Sequence, residues 1–283
     1  MLWENLRCEE FKQAIETAKG VCVVPVGCLE KHGPHAPLGT DTIIATETCA
    51  RAAALEPVVV FPTMYFGEKS GAREFPGTVI FSLETRWHIF RETCNEILRN
   101  GFKKILFVNS HGGNKSMLDL FVRNMMNEKP EAMVFLTGTG GNTFRILESV
   151  LCNPQDFPEL TAEDLAAMQD FCDKKKSTGH ACFSETARVY HYRPETVRLD
   201  GIKDESGFSI HRFDEFDQHQ ITTHFAWMAN HPNSYAGDND YTLNERIAKA
   251  FTQVSIRILA DKFRFLKSEK ISDCYHEEWL QKQ

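Results

Sequence analysis

The chain has no C-x-x-C pair, no concentration of basic residues, and no apolar run of roughly the 18 residues that a membrane helix needs. Each absence removes a class of protein. Nine cysteines without metal-ligand or disulfide spacing argue against a zinc ribbon or a disulfide-stapled fold. They suit reduced thiols, so a cytoplasmic location is expected. A formal net charge of −7 leaves no electrostatic footprint for nucleic acid. The only basic run, Lys174-Lys175-Lys176, reads as a solvated helix end. The glycine cluster at Gly138-Thr-Gly-Gly-Asn142 lacks the G-x-G-x-x-G spacing of a dinucleotide loop. The first residues, Met1-Leu-Trp-Glu-Asn-Leu-Arg7, lack the apolar centre of a signal peptide. Neither a membrane nor a nucleic-acid partner is expected.

What is present is an ordinary globular chain of 283 residues, 42% of them hydrophobic, long enough for a sizeable core. A single domain over 1–283 is expected, with 268–283 as a C-terminal extension that packs on a neighbouring surface. Short β-branched runs predict strands at 21–26, 58–61, 78–81, 104–109 and 133–136. Apolar residues at helical spacing predict helices over 4–19, 41–55, 85–100 and 116–127. Residues 143–176 are expected to be mostly helical, and another helix runs from about Glu185 to just before Pro194. A capping box at Thr242 and Glu245 opens a long last helix. Residues 195–240 read as irregular, and the glycine- and aromatic-rich 63–77 as a long functional loop. Alternating strands and helices imply an α/β three-layer sandwich, a largely parallel central sheet flanked by helices.

The densest chemistry lies in Cys28-Leu-Glu-Lys-His-Gly-Pro-His-Ala-Pro-Leu-Gly-Thr-Asp41. Glu30 and His32, two residues apart in an extended segment, point to one side. The glycines and prolines that follow bend the chain and bring Asp41 back beside them. Two carboxylates and an imidazole form a mixed oxygen and nitrogen donor set suited to Zn²⁺, Mn²⁺ or Fe²⁺. His111 ends another strand before two glycines. Taken alone it reads as a structural hydrogen-bonder; beside the first cluster it reads as a further ligand. Glu185 read alone is an ordinary carboxylate in a first helical turn. Cys28 and Cys182 lie close in sequence to these groups, and buried packing is the weightier reading for both.

The segment Val24-Pro-Val-Gly-Cys-Leu-Glu-Lys-His-Gly-Pro-His-Ala-Pro-Leu-Gly-Thr-Asp41 resembles the signature of the creatininase (creatinine amidohydrolase) family. Val108-Asn-Ser-His-Gly-Gly-Asn114, Phe75-Pro-Gly-Thr78 and Gly179-His-Ala-(x)₃-Glu-Thr186 resemble further family motifs in the same order, over roughly residues 20–250. The resemblance implies a compact α/β fold, an oligomer that is often a hexamer, and one or two divalent metals per subunit. It implies hydrolysis of a non-peptide C–N bond in a small amide, often a cyclic one, by a metal-activated water. Its ligands would be Glu30, His32, Asp41, His111 and Glu185, with Glu185 also in the catalytic set. His180 stands where the family places a catalytic histidine, able to protonate the departing nitrogen. His35 is either a further proton carrier or a group orienting a ligand. Three departures point away from creatinine itself. Gly113 stands where creatininase proper has a glutamate ligand, no tryptophan lies between Trp87 and Trp227, and the loop Gly67–Arg73 lacks the histidine many members carry. Other branches of the family suggest a formamide deformylase or a peptide-trimming enzyme. A catalytically silent metal-binding oligomer is the remaining alternative.

Overall fold

A computed structural model describes residues 1–68 and 70–282. Lys69, in the Gly67–Arg73 loop singled out above, and Gln283 lie outside the described residues.

Four parallel strands form the sheet: β1 (Val21–Val26), β2 (Val59–Val60), β3 (Lys104–Asn109) and β4 (Met133–Gly138), in the order β2-β1-β3-β4. Side chains alternate across a strand, so even residues of β1 face one way and odd residues the other. Cys22, Val24 and Val26 join Ile105 and Phe107 under α3 (Leu83–Arg99) and α4 (Lys115–Glu128). Val21, Val23, Leu106 and Val108 pack under α2 (Thr40–Leu55) and α10 (Glu245–Ser268). Both faces are covered, as near-continuous apolar strands require, and the expected three-layer sandwich forms. A third cluster joins α5 (Thr143–Cys152), α6 (Ala162–Asp173), α7 (Phe183–Tyr192) and the first half of α10.

Several sequence expectations need correction. Residues 78–81 form no strand; Val79 N–H donates to the Leu29 carbonyl and the segment has no strand partner among the described residues. The helix expected over 4–19 is two 3₁₀ turns, Trp3–Asn5 and Cys8–Glu10, followed by α1 (Phe11–Thr17). The break falls at Leu6 and Arg7, whose backbone is extended, while the Trp3 ring just before packs against Phe61 and Phe102. The capping residue of α10 is Asn244, not Thr242: its side chain accepts from Ile247 N–H. A capping box at Thr161 and Asp164 opens α6. The glycine cluster before α5 is no anion cradle, because Asn142 already accepts from Phe144 and Arg145 N–H. Residues 195–240 contain the short helices α8 (Asp214–Gln218) and α9 (Ala226–Asn230). After α10 the chain forms α11 (Ile271–Leu280), with Trp279 and Tyr275 beside Met126 of α4 and Phe135 of β4.

β1 leads to β2 on one side, and β3 leads to β4 on the other. Strand order therefore reverses between β1 and β3, whose last residues, Val26 and Asn109, are register partners. In an open α/β sheet the crevice beyond the strand ends at such a switch point takes ligands.

Candidate metal centre

The loop after β1 and the loop after β3 meet at that crevice. Glu30, His32 and Asp41 come from the first loop and the first turn of α2, and their side chains are fully buried. His111 follows β3 and is 4% exposed. Glu185 is in the first turn of α7, and His180 sits just before that helix. Every residue that the sequence put forward as a ligand is in this one place. Donor atoms of Glu30, Asp41, His111 and Cys28 lie within 4.8 Å of one another, as do those of Glu30, His32 and His180, and those of His32, Asp41 and Glu185.

His111 Nδ1 is 2.9 Å from a Glu30 oxygen and 2.9 Å from an Asp41 oxygen. His32 Nε2 is 3.5 Å from the other Asp41 oxygen and 3.8 Å from Glu185 Oε2. His180 Nδ1 is 3.7 Å from Glu30. Each imidazole is held from behind by a main-chain carbonyl. His32 Nδ1 faces Glu30 O at 3.2 Å, His111 Nε2 faces Glu68 O at 2.6 Å, and His180 Nε2 faces Lys31 O at 2.7 Å. A carbonyl only accepts, so it fixes the N–H on that side and turns the other nitrogen's lone pair into the site.

The electrostatics call for positive charge. Burial pulls both His32 and His111 down, but the carboxylates of Asp41, Glu30 and, for His32, Glu185 outweigh it and raise them to about 9 and about 10. Asp41 resists its burial because His32 and His111 hold its carboxyl well below the usual range. Glu185 goes the other way: burial and the neighbouring carboxylates push it up to about 7, against the pull of His32. Three carboxylates thus share a dry volume with too little cationic charge around them. His32 Nε2 and both Asp41 carboxylate oxygens are buried without a hydrogen-bond partner among the described residues. A buried, unsatisfied donor set of this kind is costly alone and fits a divalent cation.

Glu185 is fixed by Ala181 N–H, which donates to Oε2 at 2.6 Å. Ala181 adopts φ +58° to present that group, a backbone region where a side chain is strained. His35 stands outside the donor cluster. Its Nε2 meets Thr186 Oγ1 at 2.9 Å, its ring lies beside Tyr235, and burial holds it down at about 4. Cys182 is a buried thiol whose Sγ donates to Gly179 O, and burial raises it. Gly113, the position of the absent glutamate, is crowded: an added Cβ would lie 2.5 Å from His111 Nε2 and 2.7 Å from Glu68 O.

A cavity of about 570 Å³ opens onto His111, His180 and Glu185. Its other walls include Glu68, Gly71, His224, Trp227 and Met228. Glu68 and Gly71 lie in the 63–77 loop read as functional, whereas His224, Trp227 and Met228 lie in 195–240, read only as irregular, and were missed. The available signal was the density of aromatic residues and histidines between Phe208 and His231.

A parallel α/β sandwich with a buried carboxylate–imidazole cluster at its switch point defines the class as an α/β protein with a candidate metal centre. The chain belongs to the creatininase family: the family profile described as creatinine amidohydrolase matches residues 4–261. It is 28% identical over 130 residues to the creatinine amidohydrolase of Pseudomonas putida, a match spanning 43% of this chain and only 50% of that protein's length. It is 34% identical over 176 residues to the mycofactocin precursor peptide peptidase of Mycolicibacterium smegmatis, covering 58% of this chain and 71% of that protein. A mutant creatininase of Zn–Zn type shares the fold with a TM-score of 0.69 and 20% identity, over 95% of this chain and 98% of that one.

Proposed function

We propose that the protein is a metal-dependent amidohydrolase that cleaves a non-peptide C–N bond of a small amide. The observation that carries this reading is the convergence of two buried carboxylates, the partly buried Glu185 and three carbonyl-anchored imidazoles on a cavity at the sheet's switch point. Glu30, His32, Asp41, His111 and Glu185 are the residues that would hold the metal, with Asp41 faced by His32 on one oxygen and His111 on the other. A divalent cation bound there supplies Lewis acidity and brings the pKa of water into the neutral range.

The chain's own groups then have distinct work. His180 has one nitrogen committed to the Lys31 carbonyl, so the proton it exchanges with the departing nitrogen is the one on Nδ1. Glu185 lines the cavity with Oε2 pinned by Ala181, which suits a carboxylate that positions water or takes its proton. Thr186 and His35 hold the start of α7 against the first loop, acting through Glu185 rather than on substrate. The closed arrangement of Glu30, His32 and Asp41 behind the cavity excludes bulk water from the donor set.

A second reading, trimming of a peptide, is favoured by the resemblance to the mycofactocin precursor peptide peptidase and by a cavity large enough for a drug-sized ligand. The test is metal analysis of the purified protein followed by hydrolysis of lactams, formamides and short peptides. Bound zinc, manganese or iron and turnover of one substrate class are expected. Absence of metal, together with no turnover after adding each ion, would leave only a silent protein and sink the hydrolase reading. Family resemblance also supports a homo-oligomer, checked by light scattering.

A further inference from the structure

The cavity carries chemistry that the metal cluster does not use. Its polar side chains are Glu68, His111, His180, Glu185 and His224. Its large apolar side chains are Trp227 and Met228, both on α9. Trp227 stands edge-on to His180, with ring centroids 5.5 Å apart and planes at 88°. The indole is therefore next to the group that faces the reacting bond.

α9 is held in place by a close approach. A Cβ added at Gly71 would lie 2.8 Å from Met228 Cγ and 3.8 Å from Trp227 Cε3. Two segments distant in sequence, 70–72 and 226–230, thus join over the cavity through a position where only glycine fits without displacement.

We propose that Trp227 and Met228 form the specificity-determining wall of this site, and that the substrate is an amide whose scissile bond is flanked by a flat, apolar group lying against the indole. Substrate class is assigned here on the basis of the amide-hydrolysing reading above. An aromatic or similarly flat group gains area burial against Trp227 and a ring–ring contact in addition.

Binding can be read without turnover. The protein's four tryptophans give indole N–H resonances in the ¹⁵N-labelled holoprotein; the one missing in Trp227→Phe is that of Trp227. N-benzylacetamide is expected to shift it at concentrations where N-methylacetamide does not. Trp227→Ala is expected to weaken N-benzylacetamide binding about tenfold, and Trp227→Phe to restore most of it. Unchanged resonances of Trp3, Trp87 and Trp279 report that the variants are folded; Met228→Ala, with Trp227 intact, is expected to weaken the same probe and serves if Trp227→Ala does not fold. The proposal is overturned if the Trp227 resonance ignores N-benzylacetamide, if both probes bind alike, or if neither the Trp227→Ala nor the Met228→Ala variant loses affinity. Probe binding without hydrolysis of any amide would overturn the hydrolase reading while the wall stands.

Discussion

At the scale of single residues, the site depends on rings that cannot turn. His111→Ala removes a donor that faces both Glu30 and Asp41, so metal content and activity are expected to fall together; metal analysis beside a hydrolysis assay checks this, and full retention of metal would remove His111 from the ligand set. Gly113→Ala is the subtler probe. Its new methyl meets His111 Nε2 and the Glu68 carbonyl, so the ring must swing off its anchor. Metal affinity is expected to drop roughly 10–100-fold, the usual cost of disturbing a group behind a ligand; titration with a competing chelator measures it. Much of this was legible in the sequence. Glu30, His32, Asp41 and His111 stand out because ionisable residues crowd two strand ends. Glu185 alone looked like an ordinary first-turn carboxylate, and the family motif singled it out. Trp227 and Met228 were not legible, because spacing along a chain does not report which distant loop folds over a cavity.

At the scale of elements, the strands were readable where both faces are buried and misread where they are not. β1 and β3 have continuous apolar runs, and the structure keeps their bounds at 21–26 and 104–109. Thr78–Phe81 has β-branched residues too, but no strand lies beside it, and propensity without a partner forms no sheet. The start of α10 shows the same limit, since Thr242 and Asn244 both fit a capping pattern and only tertiary contact chooses. Asn244 also donates to Asp164, which Arg246 grips as well. Asn244→Ala is therefore expected to destabilise the protein by about 1–2 kcal/mol, at the upper end for a lost cap; denaturant melts would show it, and a loss near zero would refute the assignment. Phe90→Ala on α3 should cost more, about 3–5 kcal/mol, because its fully buried ring sits against Phe107 and Phe121.

At the scale of the whole molecule, two couplings set stability. The metal cluster ties the β1 loop, the β3 loop and the start of α7 together, so a cation that binds only the folded chain stabilises all three at once. At 100 times its dissociation constant the gain is about 2.7 kcal/mol, a rise in Tm on the order of 5 °C; calorimetry with and without chelator tests it. The second coupling joins the sheet to the C-terminal helix through buried Lys104 and Glu269. Burial raises the Glu269 carboxyl, but Lys104 and Ser272 outweigh it and hold it at about 2, below its ordinary 4.5. The stabilisation this gives is complete above pH 4.5 and is lost as pH falls towards 2. Hydrogen exchange of α11 is expected to accelerate over that interval, and Glu269→Gln is expected to remove the pH dependence.

The carbonyl anchors behind the imidazoles carry a last consequence, for heredity rather than chemistry. A main-chain oxygen is supplied by every amino acid, so no exchange of side chain at Lys31 or Glu68 deletes the group that His180 or His111 leans on. Point mutation can therefore rework most of the pocket's rim while ring orientation is inherited intact. An insertion or deletion that shifts the loop path reaches it, as does a side chain forced into the ring's own space at Gly113. New substrate preferences can thus accumulate one codon at a time around an unchanged centre.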